Sequence, residues 1–153
     1  MSVIALIRPD SWNFPLFVHV LGAMLLVGGT LTGASTLAFA RNDPRFLRLG
    51  YWTLLIVALP AYIVMRIGAE WIYNKEHWDD IPEDDLPTWL ELGRGLGDLG
   101  GLLLLISLVL GAIGVNRLKS GGGSTLLKIT MVLSVILLAA LIVVTWAMSG
   151  KPN

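Results

Sequence analysis

Four long stretches of apolar residues alternate with short polar segments along the chain. They cover about residues 14–40, 49–73, 93–116 and 125–148. A membrane-spanning helix needs about 20 mostly apolar residues, and each stretch is long enough. Because the hydrocarbon of a bilayer offers the backbone no hydrogen-bond partners, such segments must be helical. The pattern predicts an all-α integral membrane protein: a four-helix bundle, antiparallel and up-down, formed by a single transmembrane domain over residues 1–153.

The polar connections between these stretches are short. Pro44 follows the first stretch and disfavours a helix at the residue before it. Residues 119–124 (KSGGGS) predict a flexible turn between the third and fourth stretches. The longest connection, residues 74–91, is an acidic loop that contains Asp79, Asp80, Glu83, Asp84 and Asp85. We expect this loop to be solvated, and its charge suits a basic extracytoplasmic partner such as an electron carrier.

The distribution of basic residues predicts how the bundle lies in the membrane. Six basic residues lie on the first and third connections and three on the opposite side, and the basic side of a membrane protein faces the cytoplasm. Both termini and the acidic loop are therefore predicted to lie outside, in a multi-pass protein of a bacterial inner membrane. The six are Arg41, Arg45, Arg48, Arg117, Lys119 and Lys128, and the three are Arg8, Lys75 and Lys151. The tryptophans lie near predicted helix ends, as interfacial anchors do: Trp12, Trp52, Trp71, Trp78, Trp89 and Trp146.

Composition narrows the range of functions. Charged residues make up 14% of the chain, against roughly 25% in an average soluble domain. The net charge is zero, which gives no indication of nucleic-acid binding, and the chain has no cysteine, which excludes disulfides and thiolate metal sites. No Gly-x-Ser-x-Gly, His-Glu-x-x-His or phosphate-binding loop occurs. An enzymatic activity is therefore neither indicated nor excluded.

Charged and imidazole side chains fall at one predicted depth in the membrane. Counted from the predicted outer helix ends, His19, Arg66 and Asp98 lie six or seven residues inside, or roughly 10 Å at about 1.5 Å per residue. Arg66 and Glu70 share a helix face by i, i+4 spacing, as do Arg94 and Asp98. The antiparallel register then predicts two ion pairs, Arg66 with Asp98 and Glu70 with Arg94. They act either as a structural clamp or as an anion site for haem propionates or a lipid headgroup.

His19 needs a partner inside the membrane, because a buried imidazole is costly unless it is hydrogen-bonded or ligated. One interpretation is a hydrogen bond to a neighbouring carbonyl or hydroxyl group. The other is that His19 is an axial ligand of haem or a copper ligand.

The segment His19-Val-Leu-Gly-Ala-Met-Leu-Leu-Val-Gly-Gly resembles the first helix of a loose group of small bacterial membrane proteins. The group comprises copper-resistance D-like proteins, DUF2269-type proteins and the membrane protoporphyrinogen oxidases of the HemJ type. The resemblance implies that His19 ligates haem b. The chain lacks the Leu-Pro-Arg segment and the further histidines of the oxidases, which argues against protoporphyrinogen oxidation.

Three functional hypotheses follow. The first is haem b binding for electron transfer, with Met65 or His19 of a second copy as the second ligand and with Arg66 and Arg94 holding the propionates. The second is a transporter for copper, bound by His19, Met24 and Met65, or for another ion. The third is a non-catalytic subunit that assembles in the bilayer as a homo-oligomer or within a larger membrane complex.

Overall fold

The computed structural model describes residues 13–82 and 85–150. It contains four long helices: α1 (Asn13–Phe39), α2 (Pro44–Lys75), α3 (Thr88–Arg117) and α4 (Ser124–Gly150). Two short 3-10 turns, Trp78–Asp80 and Leu118–Ser120, lie in the connections, and the described residues contain no strand. The prediction of an all-α protein with four helices long enough to cross a membrane is confirmed.

Two helices begin earlier than the apolar pattern predicts. The start of α2 is Pro44 rather than residue 49, because the carboxylate of Asp43 accepts a hydrogen bond from the backbone N–H of Arg45 at 2.8 Å and caps the helix. Proline suits the first helical position, where its missing N–H costs nothing. The start of α3 is Thr88 rather than residue 93, directly after Pro87. Helix ends are polar and extend beyond the apolar segment, which is why hydrophobicity alone misses them.

Helix α2 contains an irregularity at its centre. Residues Leu54–Ala58 form a π-helical segment in which the N–H of Leu59 donates to the carbonyl oxygen of Leu54. Pro60 lies two residues after the segment, has no N–H to donate, and its ring crowds the preceding turn. The wider π turn accommodates the proline without ending the helix.

The helices pack side by side, and the contacting residues run in opposite directions along each pair. Along α1 and α2, Gly22 lies against Met65 and Gly33 against Leu54. Along α3 and α4, contacts of the same kind join Gly93 to Met148 and Gly114 to Leu127. The 74–91 connection therefore lies at one end of the bundle, called here the acidic end, and the turns at 40–43 and 118–123 lie at the other, called the basic end.

The core extends from the middle of the bundle to the basic end. Its largest fully buried side chains are leucines, and together they fill the space between the four helices: Leu26, Leu54, Leu104, Leu127 and Leu137. Tyr51 and Leu47 continue this core toward the basic end. The described residues thus leave no open polar path through this half of the molecule.

The outer surface of the bundle is apolar, and no more than 39% of any membrane-spanning window is buried inside the protein. Large side chains such as Phe39, Val109 and Ile142 are exposed on it. An apolar surface of this extent is what a lipid bilayer covers. The chain is accordingly a multi-pass membrane protein.

Aromatic side chains gather at the acidic end. The ring of Trp71 meets that of Phe14 edge-on at 5.8 Å, and Trp78 meets Trp89 in the same way at 6.0 Å. Such rings prefer the level of lipid headgroups. Several residues named in the sequence predictions lie outside the described part of the chain: Arg8, Trp12, Glu83, Asp84 and Lys151.

Candidate functional site

His19 is held against α2 by a hydrogen bond. Its Nδ1 lies 3.0 Å from the backbone carbonyl oxygen of Met65, and because a carbonyl only accepts, Nδ1 carries the donated proton. His19 therefore makes the hydrogen bond to a neighbouring carbonyl that one interpretation predicts, and a metal ligand could bind only through Nε2. The neutral tautomer with the proton on Nδ1 leaves a lone pair on Nε2.

Two glycines bring α1 and α2 into backbone contact around this hydrogen bond. A Cβ atom added at Gly22 would lie 2.7 Å from Cα of Met65, and one added at Gly68 would lie 2.7 Å from Cα of His19. Any side chain at either position would force the helices apart. The two backbones are thus in direct contact at the level of the imidazole.

This contact does not fit a haem bound between His19 and Met65. A porphyrin would need a van der Waals distance of about 3.5 Å on each of its faces, and the two backbones already touch. In this arrangement α1 and α2 leave no space for a porphyrin between the two residues, and ligation by Met65 within the chain stays a prediction. Ligation by His19 of a second copy stays a prediction that a single chain does not test.

The structure does not assemble the expected copper ligands either. Met24 is 69% exposed on the outer surface of α1, whereas His19 faces α2 and Met65 is buried. The thioether of Met24 thus lies on a different face of α1 from the imidazole. A shared metal ion would need these groups to converge.

Arg66 and Asp98 are brought together across α2 and α3. The Nη2 atom of Arg66 lies 2.9 Å from Oδ1 of Asp98, and the same nitrogen lies 3.0 Å from Oε1 of Glu70. The side chain of Arg66 is 23% exposed, those of Glu70 and Asp98 47% and 65%. Both carboxylates share one guanidinium and turn their remaining lone pairs toward the surroundings. Arg66 is thus paired with both carboxylates through one of its nitrogens, and its predicted role toward haem propionates stays a prediction.

Glu70 and Arg94 are not brought together, so the second predicted ion pair is absent. The guanidinium of Arg94 instead lies over the ring of Tyr73, 4.2 Å from its centroid. Side chains lean toward the N-terminus of their own helix. Glu70 accordingly leans along α2 toward Arg66, and Arg94 leans along α3 toward the acidic end, where it reaches Tyr73.

Two tyrosines complete the contacts between α2 and α3. The hydroxyl of Tyr62 donates to the carbonyl oxygen of Gly97 at 3.2 Å, and that of Tyr73 donates to the carbonyl oxygen of Trp78 at 3.1 Å, which fixes the ring beneath Arg94. Sequence reasoning missed Tyr73. The available signal was that Tyr62, Arg66 and Tyr73 share one face of α2 by helical spacing.

We call the space between these side chains the α2–α3 cleft, defined by Tyr62, Arg66, Glu70, Tyr73, Arg94 and Asp98. At the acidic end the two helix backbones rarely approach each other, and long side chains span the distance. The two arginines and two carboxylates sum to zero charge, but the charges are unevenly paired. Arg94 makes no ion pair within the described residues, while two carboxylates compete for Arg66.

His77, Asp79 and Asp80 form a small polar group in the described part of the acidic loop. Ring and carboxylate atoms of His77, Asp79 and Asp80 lie within 4.8 Å of one another, and Nδ1 of His77 is 3.5 Å from Oδ2 of Asp80. All three residues are exposed, as acidic surface groups without a metal often are. The group is best described as solvated surface.

No family model, curated protein or solved structure matches the chain.

Proposed function

We propose that the chain is a non-catalytic binding protein of the membrane, and that the α2–α3 cleft holds a charged polar ligand. The observation that carries this proposal is the sharing of Arg66 by Glu70 and Asp98 at the end where α2 and α3 diverge. Ionised side chains in a membrane helix are expensive and usually line a site or pair with one another. Here the pairing is incomplete, and the unsatisfied groups are accessible.

A purely structural clamp would need fewer groups. Arg66 and Asp98 alone would join the two helices and neutralise each other. Glu70 adds a second carboxylate to the same guanidinium, and Arg94 adds a cation that stacks on Tyr73 instead of reaching either acid. A carboxylate can accept several hydrogen bonds and a guanidinium can donate five, so both signs of charge keep unused capacity.

The other two hypotheses find less support. An ion pathway would have to cross the leucine core, where Leu26, Leu104 and Leu137 are 0–1% exposed. A haem held within one chain would have to separate α1 from α2 at Gly22 and Gly68. The exposed carboxylates of Glu70 and Asp98 suit binding near the acidic end better than passage through the bundle.

We further propose that the acidic end lies outside the cell membrane. The support is the excess of arginine and lysine on the two connections at the basic end. The ligand then comes from the outer leaflet or from the medium beyond it.

Native mass spectrometry of protein released gently from its membrane tests the binding proposal. We expect the wild type to retain a bound polar molecule and Arg94→Gln to lose it. The matched control is Arg48→Gln, which also removes one charge but lies exposed near the basic end. A wild type that carries no bound molecule under conditions that keep the bundle folded would overturn the proposal. A bound mass equal to that of haem would favour the redox hypothesis instead.

A further inference from the structure

From the geometry of the α2–α3 cleft we infer that its ligand is the headgroup of an aminophospholipid, with the phosphate on Arg94 and the ammonium group on Asp98 and Glu70. The inference rests on the proposed function and names its ligand class. It follows from three observations. Arg94 has no carboxylate partner within the described residues, Asp98 and Glu70 have exposed carboxylates, and these groups lie near the predicted headgroup level.

Arg94 is suited to hold a phosphate. Its guanidinium stacks on the ring of Tyr73, 4.2 Å from the ring centroid. The N–H groups of a stacked guanidinium point outward in its plane, so they can still donate hydrogen bonds. Those groups have no carboxylate partner within the described residues. Phosphate oxygens match such an edge and accept two parallel hydrogen bonds from it. Tyr73 is itself fixed by its bond to Trp78, so the cation is held in place before a ligand arrives.

Asp98 and Glu70 are suited to hold a primary ammonium group. Asp98 lies one helical turn from Arg94 on the same face of α3, and Glu70 meets it through the shared Nη2 of Arg66. An ammonium group donates three hydrogen bonds, which the exposed lone pairs of the two carboxylates can accept. The ethanolamine arm that joins ammonium to phosphate is short, about the ~5.4 Å rise of one turn. One headgroup can therefore contact Arg94 with its phosphate and the carboxylates of Asp98 and Glu70 with its ammonium group.

The depth of the cleft favours a lipid over a soluble compound of the same chemistry. Arg94 lies six residues inside the start of α3 at Thr88, or about 9 Å along the helix axis. Aromatic residues such as Trp71 and Trp89 lie at the same end of the bundle, and such residues sit at headgroup level. Farther along α3 toward the basic end, the exposed side chains of Leu102 and Leu105 can contact the acyl chains of the lipid.

Delipidated protein in detergent, titrated with defined lipids and observed by native mass spectrometry, tests the inference. The probes are phosphatidylethanolamine, phosphatidylcholine, phosphatidylglycerol and free phosphoethanolamine. Phosphatidylcholine has a quaternary ammonium that cannot donate hydrogen bonds, and phosphatidylglycerol has no cation. We expect phosphatidylethanolamine to bind roughly three- to fivefold more tightly than either, as one exposed charge-assisted contact allows. Free phosphoethanolamine should bind more weakly than the lipid.

Three variants separate the parts of the headgroup. Arg94→Gln should weaken all three lipids, Asp98→Asn should remove the preference for phosphatidylethanolamine, and Arg48→Gln should change neither. Equal binding of the three lipids that depends on Arg94 but not on Asp98 would overturn the aminophospholipid while leaving a lipid-binding cleft. Free phosphoethanolamine that binds as tightly as the lipid would assign the site to a soluble zwitterion. Failure of every probe, with the wild type also free of any co-purified molecule, would overturn the proposed function as well.

Discussion

The guanidinium of Arg66 holds Asp98 of the neighbouring helix at 2.9 Å, and this contact ties α2 to α3 where their backbones diverge. The same nitrogen also binds Glu70, so removal of Arg66 leaves two carboxylates without their cation. The contact is only partly shielded, because the side chain of Asp98 is 65% exposed. Its energetic value must therefore be small, although it is a direct side-chain contact between α2 and α3.

The variant Arg66→Gln tests this contact. We expect it to lower the free energy of unfolding by about 1 kcal/mol, since exposed ion pairs contribute up to about that much. A double-mutant cycle with Asp98→Asn, measured by SDS-induced unfolding in mixed micelles, should show a coupling energy of about 0.5 kcal/mol. Arg48→Gln with Asp98→Asn serves as the uncoupled control. Strict additivity of Arg66→Gln and Asp98→Asn would contradict the contact.

The α1–α2 interface makes a sharper prediction about stability. Gly68→Ala places a methyl group 2.7 Å from Cα of His19, and backbone cannot yield as a flexible side chain can. We expect a loss of about 1–3 kcal/mol, as overpacking usually costs. In the matched control, Gly28→Ala, the new methyl group meets nothing within 4 Å. Alanine is intrinsically better in helices by about 1 kcal/mol, so this control should be neutral or stabilising. Thermal unfolding in detergent that ranks the two variants equally would refute the close contact.

A buried hydroxyl group offers a third prediction. Thr30 is fully buried, and its Oγ1 has no hydrogen-bond partner in the described part of the protein. A buried hydroxyl without a partner is costly, so Thr30→Val, which keeps the shape, should be neutral or stabilising by up to about 1 kcal/mol.

Thr130 is the matched control for this substitution. It is equally buried but donates its hydroxyl toward the carbonyl oxygens of Leu126 at 3.0 Å and Ser107 at 3.2 Å. Thr130→Val should therefore lower the free energy of unfolding by about 0.6 kcal/mol, the average contribution of a hydrogen bond between membrane helices. If Thr30→Val lowers the free energy of unfolding more than Thr130→Val does, the hydroxyl of Thr30 must be hydrogen-bonded to a buried water.

Sequence alone could predict the helices and one of the contacts in the cleft. The helices follow from the length of the apolar stretches, because hydrocarbon leaves the backbone no other solution. The pairing of Arg66 with Asp98 follows from counting residues inward along two sequential helices. Both predictions depend only on spacing along a regular helix.

The remaining features of the site depend on more than spacing. Charge complementarity favours Glu70 with Arg94, but the lean of each side chain along its own helix separates them and gives Arg94 to Tyr73. The room for a cofactor beside His19 depends on how closely α1 and α2 approach. Helical spacing does not give this distance, whereas the backbone contact of Gly68 with His19 shows that the two helices pack closely.

The optical spectrum of the purified protein tests whether a haem binds at His19. We expect no Soret band after expression with ample haem, because backbone contact occupies the space between His19 and Met65. His19→Ala should leave the spectrum unchanged and lower stability by about 1 kcal/mol, through loss of the bond to the Met65 carbonyl. A Soret band that disappears in His19→Ala would show that the helices separate to admit a haem, or that two copies share one.

The last prediction concerns orientation, and the composition of the chain makes it easy to test. The protein has no cysteine, so a single introduced cysteine reports one position. Asp79 is exposed at the acidic end and Ser120 at the basic end. In intact cells a membrane-impermeant maleimide should label Asp79→Cys and should label Ser120→Cys only after permeabilisation, since basic connections stay in the cytoplasm. Labelling in the reverse order would place the α2–α3 cleft at the cytoplasmic face, and any ligand would then have to come from the inner leaflet.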